Sequence, residues 1–71
     1  GSTMPEKVFK KITVTGCSDD SYEQAVRIAV AKASESLHGL SWFEVTEMRG
    51  GIRDDGALEF QATVDVAFRV D

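Results

Sequence analysis

The 71-residue chain has little of what small proteins use to cross-link themselves: one cysteine and one histidine. One cysteine excludes an internal disulfide bond, and Cys17 and His38 alone cannot form a zinc site of the Cys/His type. A domain this short usually needs disulfides, a metal or partner subunits, because its own core is small. We therefore expect an oligomer. A lone cysteine also suits a reducing compartment, so we expect a cytoplasmic protein.

The sequence also lacks a long apolar run, a signal-peptide pattern and a basic cluster. No stretch approaches the roughly 18 apolar residues of a membrane-spanning helix. Eight Lys and Arg residues are scattered among twelve Asp and Glu residues, and the net charge is −4. We therefore expect neither nucleic acid nor a membrane as a partner.

Residues that could form a catalytic centre are scarce as well. One histidine leaves no credible Ser/His/Asp set, and Gly50-Gly51 is too weak a signal for a phosphate-binding loop. We expect a protein that is not an enzyme. The chain has no repeat or Pro/Gly linker, which predicts one domain over residues 4–71 behind an expression remnant, residues 1–3.

The apolar pattern predicts an α+β fold in the order strand, helix, strand, strand. The strands are predicted over residues 8–15, 41–53 and 57–70, with turns at 16–20 and 54–56. A crossover helix makes the first two strands roughly parallel, and the third is expected to pair antiparallel between them.

A helix is predicted from Ser21 to about His38. Ser21 with Gln24 resembles a capping box, His38 suits a C-terminal cap, and Gly39 fits the residue just past the helix end. One apolar stripe is formed by Tyr22, Val26, Ala29, Val30, Ala33, Leu37 and Leu40. Ile28 lies off this stripe and is either a stray exposed aliphatic or a subunit contact.

The faces of the strands follow from period-two alternation. The last strand is apolar at its even positions, from Leu58 to Val70. In the second strand the apolar parity flips after Phe43 and Val45, which predicts a bulge near residues 46–48. If Phe43 faces the core, Trp42 faces outward.

Four side chains on that outward face are the candidate binding residues. Trp42 either packs at a sheet edge or subunit interface, or provides a stacking platform for a flat aromatic ligand. Gln61 is either a solvated strand residue or a donor and acceptor for the edge of a heterocycle. Arg49 and Arg69 either pair with nearby acids on the surface or bind a phosphate. The sequence assigns no metal ligands, and Cys17 is interpreted as a small turn residue.

These residues stand in a pattern that resembles the dodecin family of bacteria and archaea, from about Lys7 to the C-terminus. The opening strand V-F-K-K-I-T-V-T-G-C-S is similar to the family's V-Y-K-x-x-x-L-x-G-x-S. The most specific signature is W-F-E-V at 42–45, followed by Arg49-Gly50, Asp55-Gly56, Phe60-Gln61 and Val66-Ala67-Phe68-Arg69.

The resemblance implies a β-α-β-β unit whose three-stranded antiparallel sheet wraps one long helix, twelve copies of which form a hollow shell. It implies storage or sequestration of a flavin (FMN, riboflavin, FAD or lumichrome), with photoprotective quenching by stacked tryptophans. The flavin-binding residues that it implies are Trp42, Gln61, Arg49 and Arg69. Some family members also hold coenzyme A.

Three positions depart from the family pattern: Cys17, Ala67 where glycine is common, and Glu59 where many relatives have histidine. Ala67 adds a methyl group on the face that bears Trp42, and Glu59 adds a carboxylate near the ligand rim. An alternative is therefore a structural oligomeric shell that has lost or weakened ligand binding.

Overall fold

The computed structural model describes residues 6–70, and the proposed remnant at residues 1–3 lies outside them. The elements in chain order are β1 Val8–Ser18, α1 Tyr22–Ser34, β2 Leu40–Ile52 and β3 Leu58–Val70. The sheet order is β1-β3-β2, and β3 is antiparallel to both neighbours. The predicted β-α-β-β fold, with the third strand between the first two, is confirmed.

Strand β1 is three residues longer than the sequence predicts, because Gly16 belongs to the ladder and not to a turn. Gly16 pairs with Ala62, and Ser18 pairs with Phe60. A Cβ atom at position 16 would overlap the carbonyl oxygen of Ala25 and lie 2.9 Å from the nitrogen of Ala29. A strand glycine often marks such a close backbone approach. Gly16 therefore lets α1 lie close to the sheet.

The start of α1 agrees with the predicted cap. The Ser21 hydroxyl accepts a hydrogen bond of 3.0 Å from the Gln24 nitrogen. Just before it, the hydroxyl of the buried Ser18 accepts from the Asp20 nitrogen at 2.9 Å. Glu23 in the first turn suits the positive end of the helix dipole.

We expect Ser21→Ala to lower the free energy of unfolding by about 1 kcal/mol, because the Gln24 nitrogen loses its acceptor. Ser34→Ala at the other end of the helix is the control, since its hydroxyl only bonds back to the Ala31 carbonyl oxygen. Denaturant unfolding at equal protein concentration measures both. Equal stability of the two variants would contradict the capping role.

The helix ends at Ser34, four residues earlier than the sequence predicts. The Leu37 nitrogen still donates to the Ala33 carbonyl oxygen at 3.1 Å, so one more turn follows the helix. Leu37 therefore packs on the core from outside the helix and continues its apolar pattern. The prediction of a C-terminal cap at His38 is wrong for the same reason. Gly39 has a φ of 72° and leads directly into β2.

Strand β2 contains the predicted bulge and one that the sequence did not reveal. The ladder against β3 skips one residue between Val45 and Glu47, as the parity flip predicts, and also skips Ser41. The second irregularity places Leu40 against the core and Trp42 on the opposite face, although both have even numbers.

The core lies between α1 and the middle of the sheet and is small. The fully buried apolar residues are Ala25, Ala62, Val64, Val66 and Ala67, with Ala29 and Ala33 nearly so. The helix lies mainly over β1 and β3. Of these seven, Ala67 alone has an odd position in β3, and it is buried on the other face of the sheet.

Apart from Leu40, the helix-facing residues of β2 are therefore not core residues of the single chain, which corrects the sequence interpretation. Phe43, Val45, Met48 and Ile52 pair with helix-facing residues of β3, yet they are 44–81% exposed. We call these four residues the β2 strip. A radius of gyration of 15.7 Å, against roughly 11 Å for a compact chain of this length, also indicates an incompletely closed molecule.

Candidate functional site

The outer face of the sheet, which points away from α1, carries all the predicted binding residues. Trp42 lies on it opposite Ala67, and Arg49 lies opposite Gln61. Arg69 pairs with Phe9 of β1 and lies on the same face. The outward position predicted for Trp42 agrees with its register, and 43% of the residue is exposed.

The indole of Trp42 is held by two neighbours on this face. Its ring centroid lies 4.9 Å from that of Phe9, with the planes tilted by 58°. Its Nε1 group donates to Oε1 of Glu44 at 3.4 Å. Sequence reasoning missed Phe9, although its odd position in β1 places it on the outer face. The two rings give the site an aromatic corner.

A small residue between the outer strands makes this corner possible. Ala67 in the central strand lies between Lys11 of β1 and Trp42 of β2 and is completely buried. The Lys11 Nζ atom lies 3.2 Å from Oε1 of Glu44 and 3.9 Å from Oδ2 of Asp65. The methyl group that departs from the family pattern therefore lies beneath the side chains and fills no open space.

Gln61 lies toward the other end of the outer face and is hydrogen-bonded on both sides of its amide. Arg49 Nε donates to its Oε1 at 2.6 Å, and its Nε2 donates to Oε1 of Glu59 at 2.8 Å. Arg49 is thus bonded to the Gln61 amide. The two interpretations of Arg49 from the sequence, a surface ion pair and a phosphate ligand, both stay predictions. Cys17 lies directly opposite Gln61 on β1, in a strand and not in a turn, and is exposed.

A second arginine extends this network beyond the end of β1. Arg53 Nη2 lies 2.6 Å from Oδ1 of Asp19 and 3.2 Å from Oε2 of Glu59. The pKa of the Glu59 carboxyl lies below its ordinary value because Gln61 and Arg53 donate hydrogen bonds to its ionised form. Glu59 is therefore a carboxylate at neutral pH. No sequence pattern indicates that Arg53 reaches Asp19, 34 residues away.

The candidate residues share a face but do not converge in one chain. Ala67, opposite Trp42, and Gln61 are six residues apart on β3, which corresponds to about 20 Å along the strand. Arg69 is near the Trp42 end and Arg49 near the Gln61 end. A tricyclic ring stacked on Trp42 is too short to reach Gln61 of the same chain.

Two further features bear on metals and membranes. Within residues 6–70, no three side chains of the His, Cys, Asp or Glu type come close enough together to hold a metal ion. None of the described residues belongs to a helix that is both long and apolar enough to cross a bilayer.

Comparison with known proteins identifies the family. The family model described as Dodecin matches residues 8–71. The curated dodecin of Thermus thermophilus is 42% identical over 65 residues, which cover 92% of this chain and 94% of that protein. The solved dodecin of Streptomyces coelicolor is 40% identical, with a TM-score of 0.86 over 96% of this chain and 97% of its own.

A more distant solved relative is described as calcium dodecin, from Mycobacterium tuberculosis, with a calcium-binding site. It is 28% identical, with a TM-score of 0.83 over 90% of this chain and 91% of its own. Family model, sequence identity and superposition agree, and this chain belongs to the dodecin family.

Proposed function

We propose that this chain binds and stores a flavin, such as FMN or riboflavin, as a homododecamer, and that it is not an enzyme. The observation that carries the proposal is the exposed indole of Trp42 on the outer face of the sheet, in a chain of the dodecin family. A half-exposed tryptophan in so small a chain favours a partner that covers it.

The residues present suit a flavin. The indole offers a flat face for stacking, which contributes roughly 0.5–1.5 kcal/mol beyond area burial. Gln61 has one amide hydrogen and one oxygen lone pair beyond the bonds to Glu59 and Arg49, so it can both donate to and accept from a ring edge. Arg49 and Arg69 supply positive charge for the phosphate of FMN.

Assembly brings these residues together in the proposal. Since Trp42 and Gln61 of one chain lie about 20 Å apart on the outer face, one ring contacts both kinds of side chain only where copies meet. Around a two-fold axis Trp42 appears twice and can cover a ring from both sides. The exposed β2 strip supports association, because its apolar side chains have no cover within the described chain.

Sequestration and quenching follow from the stacked geometry. A bound flavin supplies a ring that absorbs visible light, and Trp42 in contact with it can donate an electron to the excited ring and recover it. A ring covered by indoles on both faces offers no open face to a substrate. We therefore propose binding with photoprotection, and not turnover.

The proposal is tested by titrating FMN with the purified protein and recording flavin fluorescence. The wild-type chain should quench it at micromolar concentrations, and Trp42→Ala should abolish the quenching. Trp42→Phe is the informative control, because it keeps an aromatic platform but removes the better electron donor. It should retain binding, measured by calorimetry, with weaker quenching.

Unchanged FMN and riboflavin fluorescence with the wild-type protein would overturn flavin storage. If light scattering then showed twelve copies with no bound chromophore, the alternative of a structural shell would replace it. Steady oxidation of NADH by the flavin-loaded protein would instead favour an enzyme.

A further inference from the structure

We propose that Glu59 is a positioning residue: it fixes the orientation of the Gln61 amide and thereby determines which atoms of a bound ring Gln61 can recognise. This inference rests on the proposed flavin function. It concerns a side chain that does not itself need to touch the ligand.

The orientation of the amide follows from what its two neighbours can do. The Arg49 guanidinium can only donate, so the atom 2.6 Å from its Nε is the amide oxygen. An ionised Glu59 can only accept, so the atom 2.8 Å from its Oε1 is the amide nitrogen. Turning the amide over would set donor against donor and acceptor against acceptor. Both neighbours thus favour the same orientation, and Glu59 does so only as a carboxylate.

Glu59 is itself held in place by a neighbouring cation, Arg53. Arg53 Nη2 reaches its Oε2 at 3.2 Å, which leaves Oε1 for Gln61. The Cys17 thiol on β1 makes a minor further contribution to the lowered pKa of Glu59. Gly51 lies directly opposite on β2, and because it has no side chain, the space beside Glu59 and Gln61 stays open. The contact with Arg53 is therefore what holds the carboxylate beside the amide.

The fixed amide has a consequence for the ring that it binds. The pyrimidine edge of a flavin carries an N–H group between two carbonyl groups. An amide with its oxygen toward Arg49 and its nitrogen toward Glu59 can pair with that N–H and with one of the two ring carbonyls. An amide turned over would pair with the N–H and with the second carbonyl instead. Glu59 therefore favours a single direction of the ring in the stack.

The first test uses the ligand-free protein and the NMR signals of the Gln61 side-chain amide. In the wild-type chain, one of its two hydrogens should be shifted by the carboxylate, and the shift should be lost in Glu59→Gln. Glu47→Gln makes the same chemical change on the same face, at a residue that pairs with Thr63 and not with Gln61. It should leave the Gln61 signals unchanged.

The pH dependence of the same signals has a definite sign. The pKa of Glu59 is lowered below its ordinary value of 4.5. The NMR shift of the Gln61 amide hydrogen should therefore be complete at neutral pH and disappear as pH falls through that lowered pKa. Asp19 and Asp20 line the same pocket, together with Arg53 and Cys17. Because these two acids share the pocket with Glu59, the pH dependence is assigned to Glu59 only if Glu59→Gln removes it.

The second test measures riboflavin affinity by calorimetry. Riboflavin has no phosphate, so removing the Glu59 charge cannot act through repulsion of the ligand. Glu59→Gln should weaken binding about tenfold, because a smaller fraction of Gln61 amides has the competent orientation. Glu47→Gln should stay within twofold. Glu59→Asp keeps the charge but withdraws it from Gln61, so it should weaken riboflavin binding as Glu59→Gln does. It replaces Glu59→Gln in this test if that variant fails to fold.

The outcomes separate this inference from the proposed function. If the wild-type protein binds riboflavin and both Glu59 variants bind it equally well, the positioning role is overturned and flavin storage stands. Gln61 signals that are identical in wild type and Glu59→Gln would overturn it without any ligand. A wild-type protein that binds no flavin overturns the proposed function, while the NMR comparison still decides whether Glu59 orients the amide.

Discussion

Gly16→Ala is expected to lower the free energy of unfolding by roughly 3 kcal/mol or more, the upper end of what an added methyl group costs in a packed core. The added Cβ would overlap the carbonyl oxygen of Ala25 and lie 2.9 Å from the nitrogen of Ala29. Both atoms belong to helix backbone, which cannot turn aside as a flexible side chain can. For a domain of this size, with about 4–10 kcal/mol of stability, this is a large fraction.

Gly50→Ala is the matched control for that experiment. A Cβ atom there would lie 3.6 Å from the carbonyl oxygen of Glu59 and 3.9 Å from the hydroxyl oxygen of Tyr22, which are ordinary contacts. We expect its stability to lie within about 0.5 kcal/mol of wild type. Urea unfolding at one fixed protomer concentration compares the two, since subunit association adds to apparent stability. Similar stability of the two variants would show that α1 can move away from the sheet at little cost.

Met48→Lys is expected to break the proposed dodecamer into smaller species. Met48 lies in the β2 strip and is 58% exposed, so a single chain can accommodate a lysine at this position. If another copy covers the strip, each assembly buries unpaired ammonium groups, and each such group costs several kcal/mol. Light scattering coupled to size-exclusion chromatography should show the loss of mass, while circular dichroism should show a retained fold.

Ser34→Lys adds the same charge at the exposed C-terminal end of α1, where a cation suits the helix dipole. It should leave the assembled mass unchanged. A Met48→Lys protein that keeps the wild-type mass would show that the β2 strip lies outside the subunit contacts.

Local patterns in the sequence were sufficient for the type and order of the elements and for the face of Trp42. Alternation along β3 and the parity flip after Val45 predicted the strand, the bulge and the outward indole, because period-two patterning is a local property. The Ser21 cap was likewise readable from two residues. The register and the hydrogen bond of Ser21 confirm these predictions.

Features that depend on the approach of distant segments could not be predicted in this way. Glycine is common in turns and at close contacts alike, so Gly16 alone could not reveal that it lies beneath Ala25. The apolar residues of β2 looked like core residues because the sequence does not show that α1 lies over β1 and β3. The hydrogen bonds from Arg53 to Asp19 and Glu59 depend on how the β2–β3 turn folds back.

The distance between Trp42 and Gln61 has a thermodynamic consequence under the proposed function. When a ligand bridges chains, its affinity and the association of the chains become linked equilibria, each strengthening the other by the same factor. Flavin would then stabilise the assembly against dissociation on dilution, and dissociation of the assembly would release the bound flavin. Loading and unloading could thus be governed by how much of the polypeptide the cell makes, without any dedicated gate.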